Sequence, residues 1–159
     1  MYGLIIKNLK NQYFTNLKEV FDVLGSAVEE YNWLLSDYDC NIYPSDKIPI
    51  NKPFVWLDGA KFIDIVEKYK IQFIWGVVTA YVKDIALKDI LKYSLPYAEE
   101  YTGFWQTPIT MQNPLADIEI VSLDSTYLLV ISKLPEVIEK FLKEYPDSTD
   151  LAEHNSKLL

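Results

Sequence analysis

The sequence predicts an α+β fold: a mixed or mostly antiparallel sheet with about three to four helices packed on it. Three observations predict it. Amphipathic helical stripes recur near 17–24, 58–69 and 135–145. Apolar runs rich in β-branched and aromatic residues lie between them, the longest at 71–82. Helices and hairpin signals are interspersed rather than strictly alternating, which argues against a parallel doubly wound sheet.

The elements follow in order. Residues 1–7 are apolar and β-branched and read as a strand. Leu17, Val20, Phe21 and Leu24 form one helical stripe, with Asn16 and Glu19 as a capping box and Gly25 as the stop; Asn11 and Thr15 are alternative starts. Residues 31–35 read as a strand, 36–39 as a turn and 41–43 as a return strand. Three prolines make 44–53 a loop. Residues 54–57 are a short strand, after which Asp58 caps a helix carrying Phe62, Ile65, Val66 and Tyr69 on one face. The run 71–82 suits a central strand covered on both faces. Residues 83–93 read as a shorter helix with Leu87, Ile90 and Leu91 inward.

The segment 94–114 is irregular, with a short strand expected near 104–107. Residues 117–123 and 126–132 are strand patterns joined at Asp124-Ser125 as a hairpin. Pro135 opens the last clear helix, where its missing N–H costs nothing. Val137, Ile138, Phe141, Leu142 and Tyr145 form its stripe, and Pro146 stops it. Residues 1–146 are therefore expected to form one α+β domain, and 147–159 a polar C-terminal tail.

Composition excludes several chemistries. The chain has 159 residues, 15 lysines with no arginine, 23 acids and a net charge of -8. A negative field and the missing guanidinium fork argue against nucleic-acid binding. The single cysteine, Cys40, rules out an internal disulfide, and with one histidine, His154, no Cys/His zinc site can be assembled. Acids beside Cys40 raise its thiol pKa, and His154 is read as a solvated tail residue. No phosphate-binding glycine loop is present. No apolar run approaches the roughly 20 residues that span a bilayer, and no signal peptide opens the chain. The expectation is a cytoplasmic protein without cofactor or metal, with monomer and homodimer both open.

Acid pairs Asp37/Asp39 and Glu99/Glu100 lack a positioning partner for acid–base catalysis and a calcium-loop spacing. The segment 93–105 stands out instead. It mixes Tyr97, Glu99, Glu100, Tyr101, Phe104 and Trp105 with proline and glycine. Rings with polar handles on a loop suit a contact surface, whereas a compact loop buries its own rings. Charge is uneven too: residues 1–80 carry -2 and residues 81–159 carry -6.

Tyr31-Asn32-Trp33-Leu34, then Leu57-Asp58-Gly59-Ala60-Lys61-Phe62 leading to Ile65, then Tyr69 and 71–74, resemble a small uncharacterised bacterial domain-of-unknown-function family of acidic proteins. The resemblance covers the first half best, with the 117–132 hairpin and the last helix in matching order. It implies a shared fold and no activity. The function expected from the residues is a non-enzymatic acidic interaction module, immunity-type or regulatory, that binds a basic partner through Tyr97, Glu99, Glu100, Tyr101, Phe104 and Trp105. The alternative is a small-ligand-binding domain or an enzyme using Tyr and Glu in a pocket beside 93–114.

Overall fold

The computed structural model describes residues 1–7, 15–44 and 46–158. The alternative helix start at Asn11 lies outside the described residues. Among the described residues, eight antiparallel strands make one sheet: β1 (Tyr2–Ile6), β2 (Thr15–Asn16), β3 (Tyr31–Cys40), β4 (Phe54–Asp58), β5 (Gln72–Val82), β6 (Ile118–Leu123), β7 (Tyr127–Ser132) and β8 (Thr149–Asp150). Their order is β4-β3-β5-β6-β7-β1-β8, with β2 paired to the start of β5. Five α-helices accompany them: α1 (Leu17–Leu24), α2 (Gly59–Tyr69), α3 (Leu87–Ile90), α4 (Pro135–Glu144) and α5 (Leu151–Ser156).

Strand alternation divides the core into two layers. On one face, Leu4, Ile6, Trp33, Leu35, Phe73, Val78, Ile120 and Val130 pack against α1, α2 and α4. On the other, Ile5, Leu34, Val77, Tyr81, Val121, Leu129 and Ile131 pack against Ile90, Ala98, Phe104, Ile109, Met111 and Leu151. The second cover is therefore mostly irregular chain from 85–116, closed by α5. β5 carries residues of both layers, as its unbroken apolar run requires.

The caps follow the sequence signals. Asn16 accepts the Lys18 N–H at 3.0 Å, and Asp58 accepts the Ala60 N–H at 3.0 Å. Gly25 ends α1 at φ 63°, its N–H bonded to the Phe21 carbonyl. Pro135 occupies the first turn of α4. Asp124 and Ser125 both take positive φ, 47° and 56°, and Thr126 N–H closes on the Leu123 carbonyl at 2.9 Å. The two positive φ values make the turn tight, and because Leu123 stands opposite Tyr127 the loop runs over three residues, 124–126.

Four expectations are corrected. Residues 31–40 form one strand, not a hairpin: Asp37, at φ 47°, makes an irregularity between Ser36 and Asp39 where a turn was expected. The chain kinks there but keeps its pairing to β5; 41–43 are not a strand, although the Asn41 N–H still reaches the Gln72 carbonyl of β5 at 3.0 Å. The helix expected over 83–93 shortens to the single turn of α3, because Leu87 and Ile90 need only one turn to reach the core. The strand expected at 104–107 is a 3-10 turn, Thr102–Trp105. The polar tail is folded: β8 pairs with β1, and α5 is capped by Asp150 on the Glu153 N–H at 2.8 Å and buries Leu151 and Asn155. Leu151 and Asn155 are its buried side chains, and His154 is half-buried beside them.

Gly59 has no room for a side chain. A Cβ there would overlap the Val28 carbonyl, which also receives the Trp33 indole N–H at 2.9 Å. Gly59→Ala is expected to lower unfolding free energy by about 2 kcal/mol, read as a lower urea midpoint at unchanged slope. The converse change is expected at the hairpin. Asp124→Asn with Ser125→Gly places residues that accept positive φ and should raise stability by about 0.5–1 kcal/mol in the same assay.

Candidate functional site

Segment 93–105 lies across the second face of the sheet, held there by side chains because it has no ladder of its own. Ser36 Oγ donates to the Pro96 carbonyl at 2.7 Å. The Asp37 carboxylate accepts the N–H groups of Ala98 at 2.6 Å and Glu99 at 3.0 Å. Asp37 was singled out from sequence as half of an acid pair and as a turn former; the kink in β3 instead aims it at this loop. Gln112 clasps Tyr97 in both directions. Its Oε1 accepts the Tyr97 N–H at 3.0 Å and its Nε2 donates to the Tyr97 carbonyl at 2.9 Å. Residues 96–99 thus find partners for their polar backbone without a strand or helix.

The rings interlock edge to face. Tyr97 meets Tyr101 at 4.9 Å between centroids, Tyr101 meets Phe104 at 4.6 Å, and Phe104 meets Trp105 at 6.5 Å. A Cβ on Gly103 would run into the Tyr101 ring, so the loop can wrap this tightly only with glycine there. His154 is not a loose tail residue: its ring stands on Trp105 at 5.6 Å, from α5. Asn155 beside it donates to the carbonyls of Phe104 and Gln106, both at 2.9 Å.

The six residues expected at a contact surface therefore divide. Tyr97 is 45% exposed, and Glu99 and Glu100 are exposed beside it. Tyr101 and Trp105 are half-buried. Phe104 is 2% exposed and belongs to the core, so it is not a contact residue. Its burial follows from apolarity: with no polar handle, it is the ring that gains most by inserting beneath its neighbours.

Sequence reasoning missed Glu119. It lies on β6 with Thr79 opposite on β5 and Ile131 opposite on β7, and it is fully buried beneath the loop. One carboxylate oxygen accepts the Gln112 N–H at 3.0 Å, and the other faces Gln112 Nε2 at 3.5 Å. Burial pushes its pKa up to about 7, against the opposing effect of the Gln112 donors. Burial first, then the neighbouring Glu119, also raises Tyr101. Burial raises Tyr81 to about 12, against the opposing effect of the Thr79 hydroxyl. The available signal was one carboxylate inside a strand whose every other residue is buried.

Glu119 also bears on charge. It is one of the acids behind the -6 of residues 81–159, yet it contributes nothing to the surface. Asp89, Asp117 and Glu153 are paired with Lys92, Lys133 and Lys157. Glu99 and Glu100 stand exposed on the loop beside Tyr97. Cys40 is 5% exposed, and burial holds its thiol up at about 11, far from a reactive thiolate. Among the described residues, no cluster of three or more His, Cys, Asp or Glu could hold a metal ion, and no helix is long and apolar enough to cross a membrane.

A cleft of about 270 Å³ lies between α1 and α2, lined by Phe21, Asp22, Glu29, Ile63, Val66 and Glu67 among others. It belongs to the helical face and does not open on Glu119 or Tyr101. Against family models, curated proteins and solved structures alike, the chain shows no match.

The raised Glu119 has a thermodynamic consequence. An unfolded glutamate ionises near 4.5 and the folded one near 7. Between those values the folded state holds the extra proton, so stability is highest at or below pH 4.5 from this group and falls as pH rises to about 7. The loss is on the order of 3 kcal/mol. Glu119→Gln is expected to flatten that slope and to raise stability above pH 7, measured by urea unfolding from pH 4.5 to 8.

Proposed function

We propose that this protein is a non-enzymatic interaction module that binds a basic partner protein, in an immunity-type or regulatory role. Tyr97, Glu99 and Glu100 are the contact residues, with Tyr101 and Trp105 at the margin of the contact. One observation carries the reading: an aromatic ring and two carboxylates stand exposed on a loop whose backbone is pinned by Asp37 and Gln112. A surface ordered before binding loses little conformational entropy on association. Tyrosine supplies contact area with a polar end, and paired carboxylates select lysine and arginine on the partner. The chain's net charge of -8 steers such a partner from a distance. The cytoplasm is the setting this reading assumes, and kinship with the uncharacterised bacterial family is part of the proposal without adding to its chemistry.

Glu119 and Tyr101 favour a second reading, an acid–base or ligand site beneath the loop. A carboxyl with pKa about 7 beside a tyrosine has the chemistry for proton transfer. Glu119 is 0% exposed, however, and Gln112 occupies its oxygens, so no substrate touches it while the loop is closed.

The test is capture from source-cell extract on the immobilised chain, followed by titration with the purified partner. The expected partner is basic, and its affinity falls with added salt. Tyr97→Ala and the pair Glu99→Lys, Glu100→Lys are each expected to weaken it tenfold or more, at about 1.4 kcal/mol per decade. A partner that is acidic, or that binds the combined variant unchanged, sinks the proposal.

A further inference from the structure

The contact loop is tied to the sheet by Ser36 and Asp37 on β3 and, through Gln112, by the Glu119 carboxyl on β6. Glu119 holds Gln112 by its backbone N–H at 3.0 Å, and Gln112 holds Tyr97 by both side-chain amide atoms at 3.0 and 2.9 Å. Ala98 and Glu99 follow directly and are held by Asp37. The relay runs from a fully buried group to the residues displayed in water, across a cover that has no strand or helix of its own between Ile90 and the 3-10 turn.

We propose that the Glu119 carboxyl is a protonation-controlled latch: neutral, it keeps Gln112 and, through it, Tyr97 seated on the sheet; ionised, it draws in water and releases them. This rests on the reading of that loop as the contact segment and adds its regulation. A buried carboxylate without a counter-charge is costly, and hydration relieves the cost. Among the described residues, the groups around it supply no cation. β5 contributes Thr79 opposite and the Tyr81 hydroxyl, and β7 contributes Ile131. The cover contributes Gln112 and Tyr101, with Tyr97 on the far side of Tyr101. Ionising either tyrosine would add negative charge and push the same way. The sheet is a continuous ladder, whereas the cover is held by side chains, so the cover is the part that yields.

Amide hydrogen exchange on the isolated full chain tests this, each rate corrected for its intrinsic pH dependence. The readouts are the donors of the relay: the N–H groups of Tyr97 and Gln112. With ionisation near 7 when closed and near 4.5 when solvated, their protection should fall about tenfold between pH 6 and pH 8. Val130, in the middle of the sheet, reports global opening and should keep far higher protection throughout. In Glu119→Gln the step should vanish. Should that variant fail to fold, Gln112→Ala serves: Tyr97 should lose protection already at pH 6 while Val130 retains it. A flat wild-type profile, the same step in Glu119→Gln, or a protected Tyr97 in Gln112→Ala overturns the latch. No partner is present in the measurement, so its failure leaves the basic-partner reading standing, and failure of partner capture leaves this result intact.

Discussion

Both faces of the central strands are apolar, and that constraint organises the molecule. Val78 and Ala80 belong to the layer under the helices, while Val77 and Tyr81 belong to the opposite layer. A strand of this kind is stable only if something dry lies on either side. Amphipathic helices cover one side cheaply, because their backbone groups are already paired. The other side is covered by chain whose N–H and C=O groups must find partners individually. Ser36, Asp37, Gln112, Asn113 and Asn155 supply them, each bonding to the main chain of the cover.

This asymmetry explains where the polar groups are buried. Ser36, Thr79, Asn113, Glu119 and Asn155 are all nearly inaccessible. In a helix-covered layer most of them would be penalised without return. Here four of the five donate hydrogen bonds to main-chain carbonyls, and Glu119 receives one from the cover directly. The same dependence makes the cover the less secure half. Its attachment rests on a handful of side-chain bonds, each worth about 1 kcal/mol net, rather than on a cooperative ladder. A loop that displays Tyr97 and two glutamates is thus fixed enough to present a defined surface and remains sensitive to the state of the groups beneath it.

The interlocked rings have two roles in that design. Phe104, at the bottom, contributes burial, and the half-buried Tyr101 links it to the exposed Tyr97. The contact surface is therefore backed by core, and α5 buttresses it through His154 and Asn155. That support comes from residues near the chain's end whose composition is polar, which is why a tail was expected there.

The sequence by itself determined the α+β class, the stripes of α1, α2 and α4, the cap at Asp58, the hairpin at Asp124-Ser125 and the doubly buried β5. Each is a local property: periodicity, a capping side chain, a turn residue, or apolarity over one strand length. Tertiary structure decided the rest. Whether Asp37 turns the chain or merely kinks it depends on β5 lying alongside, and no residue near 37 encodes that partner. Whether Phe104 faces water depends on a sheet face built from strands as distant as β1 and β7. Glu119 is spelled plainly in the sequence. Its meaning arises only when Gln112 and the loop close over it, because burial and hydrogen bonding to distant residues, not residue type, set what a carboxyl can do.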